Sequence, residues 1–241
     1  EALGWGSTFI KGNDEFLDLQ SEIATKLASE LIGGLDASET QQLAQKATES
    51  AEAMAEYEAG RREWNRRNKE GFDNAIKHFE KAIELDPNYA EPYVGLADTY
   101  GLLPIYNFAE PAVAMPKAKP YAQEAIKRNP NLAIAYTSIA MVNHVYDYNW
   151  LEAEANHRKA LELNPNYATG HQWYGEYLYQ TGQTALAFEH MSKAAELDPG
   201  SKIIKCQLAF CALLLNKIDF AEMIYKIQNG FNENEVRLIP K

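Results

Sequence analysis

Four short stretches decide how this chain folds: Glu84-Leu-Asp-Pro-Asn-Tyr-Ala90, Lys127-Arg-Asn-Pro-Asn-Leu-Ala133, Glu162-Leu-Asn-Pro-Asn-Tyr-Ala168 and Glu196-Leu-Asp-Pro-Gly200. Their prolines, Pro87, Pro130, Pro165 and Pro199, are spaced 43, 35 and 34 residues apart. Five residues before each proline stands an alanine: Ala82, Ala125, Ala160 and Ala194. Seven residues before those stand Ala75, Ala118, Ala153 and Ala187. Proline cannot continue a helix and turns its predecessor away from α, so each Asp-Pro or Asn-Pro ends one. The alanines mark where helix axes approach closely, and Tyr93, Leu96, Tyr100, Tyr136, Ile139, Tyr174 and Leu178 fill the remaining inward positions.

A helix pair repeating every 34 residues or so, with small residues at the crossing points, is the tetratricopeptide (TPR) pattern. A fifth copy continues the period without its proline: Gly175 leads to Ala209, Ala187 to Ala221 and Met191 to Tyr225. The expected fold is therefore all-α, a right-handed α-solenoid of four clear repeats and a fifth, with two extra N-terminal helices. The domain reading is an N-terminal helical segment over 1–48 and a TPR domain over 49–241. Its repeats lie near 51–88, 90–131, 133–166, 168–201 and 202–232. About nine surplus residues between Tyr100 and Ala118 contain Pro104, Pro111 and Pro116, with Pro120 just beyond. They predict a long irregular connection, with the following helix starting only near 116–120.

Ahead of the repeats, Asn13 caps an expected helix to about Ile32 with Phe16, Leu19, Ile23, Leu27 and Leu31 on one face. Asp36 with Glu39 gives a capping box for a short helix near 37–46. This apolar face predicts packing on the first repeat or on a second copy. At the other end, Ile203, Ile204, Leu208, Phe210, Leu213, Leu214 and Leu215 make the fifth repeat apolar nearly all round. Residues 229–241, or another chain, are expected to cover it.

The 241 residues are 46% hydrophobic and 11% aromatic, which excludes a wholly disordered chain. The longest apolar run, Leu208 to Leu215, is far short of the roughly 20 residues that span a bilayer, so no membrane partner is expected. Net charge is −11, a poor balance for binding polyphosphate. Cys206 and Cys211 lie about 140° apart on a helical wheel, cannot bridge each other, and fit a reducing cytoplasm. The chain begins Glu1-Ala-Leu-Gly-Trp5 and reads as a piece of a longer protein.

Beyond the repeats themselves, the chain resembles the C-terminal part of multidomain bacterial regulators in which a TolB-like α/β domain precedes a TPR array. Winged-helix, nucleotide cyclase or kinase domains often open such proteins. The resemblance rests on Trp5 and Phe16-Leu-Asp-Leu-Gln20-Ser-Glu-Ile-Ala24, on Ala59-Gly60-Arg61, on Tyr148-Asn-Trp150-Leu-Glu-Ala153-Glu, and on Ala168-Thr-Gly-His171-Gln-Trp173-Tyr-Gly-Glu-Tyr177. It implies that residues 1–48 are the tail of an upstream α/β domain. It also implies a signalling or transcription-regulatory role.

Catalytic signals are missing. The five histidines show no zinc spacing, and there is neither a phosphate loop nor a nucleophile elbow. No enzyme activity, cofactor or metal is expected of this chain. The informative surface is the concave trough of a TPR array, lined by the first helix of each pair. Counting from Gly60, Ala97, Ala140 and Gly175 as the eighth position, the trough residues include Tyr57, Arg61, Trp64, Val94, Asp98, Thr137, Met141, His144, Gln172, Glu176 and Tyr179. The Lys and Asn of the dicarboxylate clamp in chaperone-binding repeats are absent from these positions. Aromatic, Met and scattered polar side chains suit an apolar-anchored protein or peptide segment.

The expected function is a non-catalytic protein-interaction module whose partner is a protein or peptide segment, or the upstream domain of its own chain. Homodimerisation through the N-terminal helix or the fifth repeat is a further expectation. A nucleic-acid-binding helical repeat is the alternative, prompted by Arg61, Arg62, Arg66, Arg67 and Lys69. The reading preferred for that stretch is a solvated helix paired with the acids of residues 49–58.

Overall fold

The computed structural model describes residues 47–228. The N-terminal helices expected before residue 47, and the covering segment 229–241, lie outside the described residues. The described chain is helical throughout, with no strand: α1 (Ala51–Asn65), α2 (Lys69–Leu85), α3 (Ala90–Ile105), α4 (Pro111–Arg128), α5 (Ala133–Val145), α6 (Trp150–Leu163), α7 (Ala168–Gln180), α8 (Thr184–Leu197), α9 (Lys202–Leu214) and α10 (Ile218–Gln228). It divides into two compact units between Leu96 and Ala97.

Each proline motif does the same local work. Asp86, Asn129, Asn164 and Asp198 end α2, α4, α6 and α8, their backbone N–H groups donating to Ala82, Ala125, Ala160 and Ala194. Their side-chain Oδ1 atoms then accept from the N–H two residues on, at 2.9–3.2 Å, which turns the chain into the next helix. Six residues after the proline a ring reaches back. Tyr93 and Tyr136 donate their hydroxyls to the Pro87 and Pro130 carbonyls, and His171 uses Nε2 on Pro165 in the same place at 2.9 Å.

The turns inside the pairs share a backbone device as well. Arg67, Asn107, Tyr148, Gly182 and Asn216 each adopt a left-handed conformation, with φ between 51° and 82°. Only Gly182 carries no Cβ to be strained there.

In unit 1, α1 packs on α2 around Phe72, Ala75, Phe79 and Ala82, all fully buried. The Phe79 ring lies so close to Gly60 that a Cβ there would stand 2.5 Å from its Cε1. The eighth position is small because the next helix's aromatic ring fills its place.

In unit 2, α5 packs on α6, α7 on α8 and α9 on α10, while α4–α5, α6–α7 and α8–α9 contacts join successive pairs. Tyr174, Tyr177, Leu178, Ala187, Met191, Leu208 and Cys211 form one continuous core.

The surplus residues near Pro104 to Pro120 do not form the expected long irregular connection. They lengthen the helices: α3 reaches Ile105, α4 starts at Pro111, and only residues 106–110 lie between. Pro111 stands in the first turn of α4, where its missing N–H has no partner to lose. Pro116 and Pro120 are exposed, so the carbonyls they leave unbonded face water rather than the core.

Candidate functional site

The structure sorts the trough residues by exposure rather than by register. In unit 1, Tyr57 is half-buried, its ring 5.9 Å from Phe79 and 5.4 Å from Tyr89. Trp64 is 4% exposed and is covered by two guanidinium groups, Arg61 at 4.5 Å and Arg67 at 3.5 Å from the ring centroid. Trp64 is thus enclosed by arginines and does not stand as an open anchor. Val94 is buried too. Farther along the basic stretch, Arg66 pairs with Glu63 and Glu70, and Lys69 with Asp73. For Arg66 and Lys69 this replaces the pairing expected with residues 49–58. The left-handed turn at Arg67 brings this segment to the first turn of α2.

In unit 2, the expected trough positions on α3 and α5 are interior. Asp98, Thr137, Met141 and His144 are all 5% exposed or less. Asp98 accepts a 2.5 Å hydrogen bond from the Ser138 hydroxyl. Thr137 donates to the Ala133 carbonyl. Met141 packs with Met115, Ala118, Val142 and Trp173, its methyl group pressed against Gly101. The physical reason lies in the small residues of α5. Ala135, Ser138 and Ala140 bring its neighbours in so closely that residues 137–144 are covered without a break.

Three expected residues on α7 are only half-buried: Gln172, Glu176 and Tyr179. They meet α9, which lies beside α7. The Gln172 side-chain amide donates to Gln207 Oε1 at 2.8 Å. Tyr179 meets the exposed Phe210 edge to face at 5.5 Å. Burial holds the Glu176 carboxyl above its usual range, with a hydrogen bond from Gln207 opposing it. A partly desolvated carboxylate, two amides and an aromatic pair thus share one face. Leu213 and Leu214 at the end of α9, each about half exposed, extend the apolar surface of that helix.

Gln207 and Phe210 were not among the sequence candidates. Phe210 is the ninth position of the fifth repeat, counted from Ala209, so the same register identifies it. Gln207 carries no such signal.

A model of the TPR repeat matches residues 67–103. A thermophilic TPR protein from Thermus thermophilus superposes with a TM-score of 0.59 at 18% identity, covering 77% of this chain and 95% of that one. This chain has the fold of a tetratricopeptide array. Over 150 residues, 62% of the TPR chain, it is 26% identical to the transcriptional regulator HilA of Salmonella typhimurium, and it spans 27% of that protein's length. It is also 24% identical over 155 residues to the human protein O-mannosyl-transferase TMTC3, spanning 17% of its length. Among the described residues of the array, no helix is long and apolar enough to cross a membrane, and Cys211 is a buried free thiol.

Proposed function

We propose that this TPR array is a non-catalytic protein-interaction module of a bacterial signalling or transcription-regulatory protein, working in the cytoplasm, and that it seats a partner segment on the face shared by α7 and α9. The observation that carries this reading is the open face itself. Tyr179 and Phe210 present aromatic surface beside Glu176, Gln172 and Gln207, whereas the other expected trough residues of unit 2 are interior. A segment that fits it brings an apolar side chain to the aromatic pair and a hydrogen-bond donor or cation to Glu176. The similarity to HilA supports the regulatory setting, and two cysteines too far apart around one helix to bridge each other fit a reducing one.

The test is capture of a partner, mapping of its bound segment, and titration calorimetry against variants. Tyr179→Ala and Phe210→Ala each remove an aromatic anchor worth about 2 kcal/mol, so affinity drops roughly 30-fold. Arg66→Ala changes it little, because that side chain is already paired on an exposed surface. A steep fall of binding with salt, carried by the arginines and indifferent to Tyr179 and Phe210, overturns this reading in favour of a nucleic-acid partner.

A further inference from the structure

Four of the five histidines of this chain converge in unit 2, on three consecutive helices and their neighbour. His157 on α6 is 1% exposed. Its ring lies 6.0 Å from His144 of α5, and 5.3 and 5.6 Å from Tyr174 and Tyr177 of α7. Tyr174 in turn packs edge to face on His190 of α8 at 4.6 Å. Among the described residues, neither ring nitrogen of His157 has a hydrogen-bond partner, nor does the buried side-chain amide of Asn143. The remaining groups around the cluster are the Arg158–Glu154 ion pair on α6, at 2.7 Å, which hydrogen-bonds Tyr174, and His171 on α7.

The outer end of the cluster is set by a second constraint. His171 places Nε2 on the Pro165 carbonyl and Nδ1 2.9 Å from His190 Nδ1. A carbonyl only accepts, so Nε2 of His171 carries its hydrogen and the neutral ring offers Nδ1 as an acceptor. His190 Nδ1–H must then be the donor. That bond fixes the Nδ1–H tautomer of His190.

From this geometry we propose that α5–α8 form an acid-responsive block: it holds together only while the histidines His144, His157 and His190 are neutral, and it opens on mild acidification while the α1–α2 pair stays closed. This does not depend on what binds the α7–α9 face, although opening the block dissolves that face with it. Burial and neighbouring charge act in the same direction as the geometry. Burial, with repulsion from His144 and His190, pushes His157 down to about 3. Burial pushes His144 down to about 4, opposed by the Ala140 carbonyl. Burial, His171 and Arg158 push His190 down to about 4. An unfolded histidine titrates near 6.5. Above that pH both states are neutral and stability is complete. As pH falls from about 6.5 towards 4, the open state takes up protons that the closed state refuses, and stability falls. At pH 5 each group raises the opening constant about 30-fold, and the three together about 3 × 10⁴-fold.

Unit 1 supplies the internal control. Its histidine, His78, faces the Glu56 carboxylate at 2.6 Å on a half-exposed surface, where a positive ring has a partner.

Hydrogen exchange on the intact chain at pH 7.5 and pH 5.0, corrected for intrinsic rates, tests the proposal. Protection across α5–α8 should fall at least 100-fold at pH 5.0, with α1–α2 changing much less. His157→Phe keeps a flat ring in the same space and abolishes its protonation, so it should return about 30-fold of the lost protection. The triple variant with His144→Phe and His190→Phe should return most of it. Equal protection at both pH values, or an undiminished loss in the triple variant, overturns the proposal. If the triple variant does not fold, NMR titration of the wild-type imidazoles decides: His144 and His157 rings titrating above pH 6 in the folded chain overturn it, and rings neutral down to the opening transition support it.

Discussion

Unit 1 and the α5–α8 block of unit 2 use the same helix-pair pattern but place their polar aromatic groups in opposite surroundings. In unit 1, His78 meets a carboxylate at the surface, and Trp64, though enclosed, packs against the guanidinium groups of two arginines. In unit 2, His144, His157 and His190 are packed against tyrosines and one another, and Asn143 lies buried beside them. The pattern fixes where helices cross and leaves the chemistry of each inward position open. A buried ring that can ionise fits such a position as well as a phenyl group at neutral pH, and becomes costly only when it gains a proton.

Four substitutions sharpen or break this comparison. The largest effect is expected at Phe79, which fills the space beside Gly60 at the centre of unit 1. Phe79→Ala should destabilise unit 1 by about 3–5 kcal/mol, read as loss of exchange protection in α1–α2. If protection in α5–α8 falls in parallel, the two units do not respond separately, and the contrast between them fails as a statement about stability.

An intermediate effect is expected at the turns. Tyr148 is 70% exposed and holds φ at 54°, so Tyr148→Gly removes left-handed strain at little packing loss. It should stabilise unit 2 by about 0.5–1 kcal/mol, after allowing for the added freedom of the unfolded chain. Gly182→Ala at the equivalent turn, also left-handed, should cost about 1 kcal/mol. Opposite signs in urea melts confirm the shared turn geometry, and equal signs contradict it.

The smallest effect is expected at the His78–Glu56 pair, since half-exposed ion pairs contribute about 0–1 kcal/mol. Glu56→Gln should leave stability at pH 7.5 nearly unchanged. A loss of several kcal/mol would show that unit 1 also depends on the state of its histidine.

How much was legible beforehand differs sharply between backbone and surface. Pro87, Pro130, Pro165 and Pro199 disclosed the ends of α2, α4, α6 and α8, because a proline and its preceding Asp or Asn act through covalent geometry and bonds spanning a few residues. Pro116 and Pro120 misled for the complementary reason. Their cost depends on whether the freed carbonyls meet water or core, and that depends on which face of α4 they occupy. The trough was readable as a register, yet Met141 and His144 turned inward while Glu176 and Tyr179 did not.

What the sequence by itself determined about this protein is therefore the all-α repeat, its period, its crossing points and its turns. All of these rest on interactions that repeat every 34 residues or so, whatever the neighbours are. Only the tertiary structure decided exposure, the arginine cover on Trp64, the pairing of Tyr179 with Phe210 and the meeting of four histidines. Apart from the arginine cover, which the left-handed turn at Arg67 completes, each of those depends on how closely a particular pair of helices approaches. That distance is set jointly by small residues on both partners, such as Ser138 and Ala140 on α5 facing Asp98 and Gly101 on α3, and so it belongs to no single stretch of chain.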